Sequence, residues 1–294
     1  MDGFINFLKP PGMTSHDAVG YVRRQLGEKK VGHAGTLDPG AAGVLPVAVG
    51  KATRLIEYLD GVEKAYRAEM VFGFATDSGD DSGKVVERAD GFVMPDRGRI
   101  LEAFANFIGT ITQVPPAHSA IKINGRRACD LLREGRQVEI PSRQVEIYAL
   151  KLLQTGRSHI VFDVACSKGT YIRSLCTDIG AYLGIPATMS FLVRRAVGGF
   201  GLEEAVTPEQ LAEKGTAALL PMEDYLGHLR RYDLPGERLK AFSNGLLTHD
   251  RRLLAQYGQE GNVTLRVYCD GEFVGIGHFD GAKAAVLPDK VIVR

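Results

Sequence analysis

No tryptophan occurs among the 294 residues, and cysteine is scarce: Cys129, Cys166, Cys176 and Cys269 are all there is. None of the four stands at CxxC spacing, which argues against a zinc ribbon, a redox dithiol or a disulfide framework. The seven histidines show no metal-ligand spacing, and neither an HExxH helix nor a nucleophile elbow occurs. No apolar run approaches the length needed to cross a bilayer. The chain does not open on a basic segment followed by a long apolar one, so neither a signal peptide nor a membrane span is expected, and a reducing cytoplasm suits the cysteines. An excess of one charge is also missing, since 36 basic and 35 acidic residues leave a formal +1. That total does not point to a polyanionic partner, but the distribution is uneven. Residues 60–104 hold ten acids against six bases, whereas residues 115–143 hold six bases against three acids. A basic segment of this kind can grip phosphates locally.

Glycine, by contrast, is plentiful, with 35 residues. It is densest in Gly32-His33-Ala34-Gly35-Thr36-Leu37-Asp38-Pro39-Gly40-Ala41-Ala42-Gly43. Glycine admits positive φ and lets a ligand approach the backbone, and Pro39 biases Asp38 towards extended geometry. A basic helical run precedes the stretch, and the apolar run Val44-Leu45-Pro46-Val47-Ala48-Val49 follows it. The segment reads as a shaped loop holding one carboxylate against a buried strand, with His33 and Thr36 as polar neighbours. Composition alone equally permits a plain Asp-Pro-Gly turn.

Upstream, Lys9-Pro10-Pro11-Gly12-Met13 is a turn, and Thr14 with Asp17 three residues on is a capping-box signature. The helix it opens should run to Leu26 and stop at Gly27. Arg23, Arg24, Lys29 and Lys30 near its end either complement the helix dipole or hold phosphates. Residues 51–59 read as a helix, and 64–73 as a strand with Tyr66, Ala68, Met70 and Phe72 on one face. Tyr66 is then either a core tyrosine or a site residue. Residues 76–83 form an acidic hairpin turn; as a calcium loop they fail, because Ser82 and Arg88 stand where that loop needs Gly and Glu. Helices are expected at 97–107 and after Lys168-Gly169-Thr170, the latter carrying Ile172, Leu175, Cys176, Ile179 and Leu183 on its apolar stripe and ending at Gly184. Arg173 lies off that stripe, so it is a surface arginine or faces a site. Residues 159–167 alternate as a strand, and in the tail Asp270-Gly271 between two short strand patterns signals a hairpin. Val49-Gly50-Lys51-Ala52-Thr53 fails as a P-loop, and Gly275-Ile276-Gly277 fails as a dinucleotide fingerprint. Chemistry without a cofactor or a metal is what remains.

The block GHAGTLDPGAAGVLPVAVGKATRL, with Asp38 in its G-T-L-D-P segment, resembles the catalytic motif of TruB-type tRNA pseudouridine-55 synthases. A second block, CSKGTYIRSLCTDIG, resembles the same family, as do Lys64-Ala65-Tyr66, the T-D-x-x-D-x-x-G segment at 76–83, the P-P-x-x-S-A-x-K-x-x-G segment at 115–125, and Phe191-Leu192-Val193-Arg194-Arg195. All occur in the family's order, over nearly the whole chain. The resemblance implies an α+β fold, with a large mixed β-sheet catalytic domain and flanking helices over residues 1–227 and a small PUA-like β-barrel over 228–294. It also implies that 115–143 is a thumb closing on RNA, with Lys122, Arg126, Arg127 and Arg133 on the backbone, although Arg127-Ala128-Cys129-Asp130 departs from the family's usual small-Tyr pair. Asp38, Tyr66 and Arg173 take the catalytic positions, and His33, Tyr171, Leu192, Thr36 and Lys9 the substrate-binding ones.

Isomerising uridine to pseudouridine cuts the N1–C1′ bond, turns the uracil, joins C5 to C1′ and releases the C5 proton. No atom or electron enters, so no cofactor is expected. Desolvation in a pocket filled by a base would raise the pKa of Asp38, and a neighbouring guanidinium, for which Arg173 is the candidate, would oppose that rise. The expected partner is tRNA through its T-arm and TψC loop, with the protein a cytoplasmic monomer needing no obligate protein partner. The alternative is a non-catalytic tRNA-folding chaperone of the same fold.

Overall fold

The computed structural model describes residues 1–59, 61–116, 119, 122, 123, 126, 127, 140–258 and 260–292, with backbone alone at 122, 123, 126 and 127. Its strands are β1 (Gly3–Lys9), β2 (Val31–His33), β3 (Ala42–Val49), β4 (Lys64–Phe72), β5 (Phe74–Thr76), β6 (Val85–Arg88), β7 (Gly109–Gln113), β8 (Lys122–Ile123), β9 (Arg126–Arg127), β10 (Arg143–Thr155), β11 (His159–Cys166), β12 (Ala187–Val197) and β13 (Phe200–Gly201). Seven of them form one mixed sheet in the order β1-β3-β12-β4-β11-β10-β7, with β2 added on β3 and β13 on β12. The β3–β12 pair is parallel, and the other ladders of this path are antiparallel.

Local chemistry accounts for most of the boundaries. Thr14 caps the helix Ser15–Leu26 by accepting from the Asp17 N–H, Asp17 reciprocates on the Thr14 N–H, and Gly27 closes the helix at φ +62°. Ala18, Val19, Val22 and Leu26 bury that helix against Ile5, Phe7, Leu45 and Val47 of β1 and β3. On β4 the alternation predicts an apolar face, and Tyr66, Ala68, Met70 and Phe72 are all buried. They pack with Ile100 and Phe104 of the helix Arg97–Phe107 and with Leu175 and Ile179 of the helix Ile172–Leu183. Residues 50–59, expected to be helical, wind as a tighter 3-10 helix. Thr53 Oγ1 donates to the Gly50 carbonyl at 2.7 Å in its first turn.

The tail folds as a five-stranded half-barrel of β14 (Arg230–Asp233), β15 (Thr248–His249), β16 (Asn262–Cys269), β17 (Glu272–Asp280) and β18 (Ala285–Val291), ordered β14-β16-β17-β18-β15. The predicted hairpin joins β16 to β17, and Asp270 and Gly271 both take positive φ, as a type I′ turn demands. Ile276 and Ile292 pack with Leu55 and Leu59 of the 3-10 helix, while Lys290 pairs with Glu57 at 2.9 Å. The tail is thereby seated on the main sheet. The expected fold class, a large mixed sheet with helices followed by a small β unit, is the architecture found.

One close approach fixes the geometry next to Asp38. Gly43 sits at φ +115° opposite Arg194 in the parallel β3–β12 ladder, and a Cβ there would lie 2.2 Å from the Arg194 carbonyl oxygen. Gly43→Ala is therefore expected to cost at least about 2 kcal/mol in backbone strain and strand displacement. Urea denaturation should show a lower midpoint at an unchanged m-value; a wild-type midpoint would overturn the account.

Candidate active site

The loop between β2 and β3 presents Asp38, and three buried side chains from outside the loop hold it. Ser15, on the first turn of its helix, donates to the Leu37 carbonyl at 3.0 Å and accepts from the Leu37 N–H at 2.9 Å. Lys9, fully buried at the end of β1, donates to the carbonyls of Pro10, Met13 and Pro39 at 2.9, 2.6 and 3.3 Å. Arg194, fully buried on β12, donates from Nε to the Val44 carbonyl at 2.7 Å, from Nη1 to Thr36 at 3.3 Å and from Nη2 to Gly35 at 3.1 Å. The loop is thus gripped on both sides of Asp38, and its backbone carbonyls have defined donors.

Arg173 reaches the same carboxylate from the helix Ile172–Leu183. Its Nη2 donates to Asp38 Oδ1 at 3.3 Å and its Nε stands 3.1 Å from Asp38 Oδ2, a two-point contact that fixes direction as well as distance. The guanidinium extends to a second acid, since Nη1 donates to the Ser78 carbonyl at 3.1 Å and lies 3.5 Å from Asp80 Oδ2. Asp80 is held in turn: its Oδ1 accepts from the hydroxyls of Ser78 and Ser82 and from the Ser82 N–H. The Arg173 side chain is 5% exposed and that of Asp38 is 37% exposed, so the pair has a buried cation and an accessible anion. Asp38 opens into a cleft of about 590 Å³ whose walls include Ala41, Asp77, Lys84, Met189 and Leu192. This volume lies within the range of ligand sites.

The electrostatics follow from that arrangement. Burial pushes the Asp38 carboxyl above its ordinary value, Arg173 is the strongest opposing influence, and Asp80 adds to the rise while Lys9 and Arg194 oppose it. Desolvation pushes the Lys9 ammonium down to about 8, so it remains largely protonated at neutral pH. Tyr66 lies behind the cleft, buried on β4 opposite Arg194 of β12. Burial drives its phenol pKa up, and the charge of Arg194 is the strongest influence opposing that rise. His33 is half-buried on β2, its Nδ1 has no partner among the described residues, and burial lowers its pKa.

The sequence-predicted residues therefore divide. Asp38, Arg173 and Leu192 meet in the cleft, while Tyr66, His33, Thr36 and Tyr171 lie outside its lining. Tyr171 precedes the Arg173 helix, exchanges two hydrogen bonds with the buried Gln113 side chain, and carries Arg143 over its ring at 4.7 Å. Lys9, expected among the substrate-binding residues, spends its ammonium on three main-chain carbonyls and so holds the loop rather than a ligand. Arg173, read as a surface or a site residue, is buried and faces the site. Lys122, Arg126 and Arg127 lie on the paired strands β8 and β9, and Arg133 lies outside the described residues.

Residues 23–172 match the TruB family pseudouridylate synthase N-terminal domain, and residues 173–239 match the tRNA pseudouridylate synthase B C-terminal domain. The chain belongs to the TruB family. A protein named tRNA pseudouridine synthase B from Symbiobacterium thermophilum is 50% identical over 249 residues, which cover 84% of this chain and 83% of that one. Another of that name, from Alkaliphilus oremlandii, is 43% identical over 279 residues, covering 94% and 93% of the two chains. A chain from the solved structure of a Cbf5-Nop10-Gar1 complex superposes with a TM-score of 0.75 at 27% identity, covering 99% of this chain and 85% of that one.

Within this TruB-family site, sequence reasoning missed Asp80 and Arg194 as members. Asp80 was hidden in an acidic turn, where a carboxylate directly after the positive-φ Gly79 reads as a plain turn residue. Arg194 had a usable signal: it lies two residues from the inward-facing Leu192 on one strand, so the period of two turns it inward as well.

The geometry makes a titration prediction. The native pKa of Asp38 lies above its unfolded value, so its carboxylate is lost as pH falls through a window displaced upward from the usual carboxylate range. Arg173→Ala removes the largest downward influence and should move that window higher still. NMR titration of the Asp38 carboxyl carbon reads both; a wild-type midpoint at or below the ordinary value, or no upward move in the variant, would sink the assignment.

Proposed function

We propose that the protein is a tRNA pseudouridine synthase that isomerises uridine-55 of the TψC loop. The observation that carries this reading is the accessible Asp38 carboxylate held by two points of a buried Arg173 in a ligand-sized cleft. The target uridine must leave its stack at a cost of a few kcal/mol, which aromatic stacking offsets by ~1–3 kcal/mol per base. Tyr66 is the aromatic group assigned to the base, Leu192 lines the cleft, and Tyr171, His33 and Thr36, which lie outside that lining, are assigned to the substrate's surroundings. Asp38 acts in its ionised form on the ribosyl–uracil unit: the N1–C1′ bond breaks, uracil turns while held, the C5–C1′ bond forms, and the C5 proton leaves as N1 gains one. Charge and electrons balance without an external oxidant, reductant or cofactor. Arg173 keeps the carboxylate ionised and aimed, and Asp80 anchors the far side of that guanidinium.

In the same reading residues 1–227 form the catalytic unit and 228–294 a PUA-like RNA-binding unit. The 115–143 segment grips RNA through Lys122, Arg126, Arg127 and Arg133. The protein works in the cytoplasm as a monomer on the T-arm. Among the described residues no helix is long and apolar enough to cross a membrane.

The test uses tRNA transcribed with tritium at C5 of uridine, incubated with purified protein. About one equivalent of tritium should enter water per tRNA, Asp38→Asn should reduce release by at least about 10³-fold, as loss of an acting group does, and EDTA with exhaustive dialysis should leave the rate unchanged. Binding of tRNA without release would favour a chaperone of the same fold. Release that persists in Asp38→Asn would remove Asp38 from the chemistry.

A further inference from the structure

Arg194 is the largest side chain among the fully buried ones, and its charge needs an explanation. A guanidinium removed from water is costly unless it is paired and hydrogen-bonded. No described carboxylate lies within salt-bridge distance of it. Its donors go instead to Gly35, Thr36 and Val44, which are main-chain carbonyls flanking Asp38 on both sides, and across the β4–β12 ladder it stands opposite Tyr66. Its own backbone presses on Gly43 at the far end of the same loop. Simple filling of the space between β3, β12 and β4 would need only an apolar side chain. What the guanidinium adds is a planar fork of donors aimed at carbonyls on both sides of Asp38, a geometry that the single ammonium of a lysine does not reproduce. Four of the candidate site residues, Lys9, His33, Asp38 and Tyr66, feel its charge.

The geometry points to Arg194 as a positioning residue for the reaction: its guanidinium holds the Asp38 loop from the strand position opposite Tyr66, tying loop and tyrosine into one rigid unit, so that carboxylate and ring keep their mutual orientation while the uracil is detached and turned. This rests on the pseudouridine synthase reading and adds a component to it. Placement of a reacting group to within a fraction of an ångström decides rates far more than affinities, so loss of the fork should appear in the chemical step rather than in RNA binding. The groups that set the ionisation of Asp38 are Arg173, Asp80, Lys9 and Arg194. Removing the charge of Arg194 while the other three stay in place should still raise the acid limb of activity.

The test compares Arg194→Lys, Arg194→Gln, Tyr66→Phe and the Arg194→Lys/Tyr66→Phe double variant in single-turnover tritium release at saturating protein, beside tRNA binding and urea denaturation. Arg194→Lys should retain tRNA affinity within about threefold and slow the chemical step by at least about 10²-fold, as misplacement does, whereas Arg194→Gln, which also removes the charge, should shift the acid limb of the rate to higher pH. The double variant should be no slower than its slower parent, because the two groups act as one unit. A folded Arg194→Lys with a wild-type rate, an unmoved acid limb in Arg194→Gln, or effects that multiply with Tyr66→Phe would overturn the proposal. Failure of both Arg194 variants to fold would assign the residue to stability alone and overturn it too. Should wild-type protein release no tritium, the functional reading fails by itself; NMR titration of Asp38 in Arg194→Gln then decides the inference, an unchanged midpoint counting against it.

Discussion

Everything near the cleft is organised around keeping one carboxylate ionised where water is scarce. Asp38 is pushed towards protonation by burial and by Asp80, and is held back by three cations: Arg173 in contact, with Lys9 and Arg194 behind. An ion pair with one exposed partner is a weak source of stability, so the arrangement makes little sense as a device for holding the fold. It makes sense for placing a charge. Arg173 binds through two atoms and is fixed on its far side by Ser78 and Asp80, so the direction in which the Asp38 oxygens point is over-determined.

The cations arrive from separate parts of the chain, and the sheet topology brings them together. Lys9 ends β1, Arg194 lies on β12, and β3 between them is paired to both, which puts the Asp38 loop at the junction of an antiparallel and a parallel ladder. Arg173 comes from the helix that packs Leu175 and Ile179 over β4 and β11. Residues 135 positions apart in sequence therefore meet because β1, β3, β12 and β4 are neighbours in one sheet against which the helices Ser15–Leu26 and Ile172–Leu183 both pack. Stability of the core and geometry of the site are coupled here: the apolar stripe that seats the helix is also what sets the depth of Arg173.

The legible parts of the sequence were those governed by local chemistry. Thr14 and Asp17 announced a helix start, the alternation from Tyr66 to Phe72 announced a buried face, and Asp270-Gly271 announced a hairpin whose two residues must both take positive φ. The Gly-rich loop around Asp38 stood out by its glycine density, but composition left a plain Asp-Pro-Gly turn open and the resemblance of the motif separated the two. Less legible were residues whose meaning depends on distant partners. Lys9 looks like a free cation until Pro10, Met13 and Pro39 are folded around it, and for Arg194 the period of two gives an inward direction but not the carbonyls it meets there. The 3-10 winding of 50–59 was hidden because apolar spacing over a stretch this short does not separate it from an α-helix.

The charge of the cleft also constrains how an RNA can enter it. Asp38, Asp77, Asp80 and Asp81 all line its wall, against Arg173 and Lys84. A phosphate placed there would face acids at short range in a setting where water screens poorly, which is strongly unfavourable, whereas a neutral uracil carries no such penalty. On the proposed reading the cleft thus admits a base and repels the backbone that bears it. Affinity for the polyanion must then come from elsewhere, and the chain supplies the opposite balance in residues 115–143, six bases against three acids. Separating grip from chemistry in this way lets a nearly neutral protein hold RNA without neutralising the carboxylate on which the reaction depends.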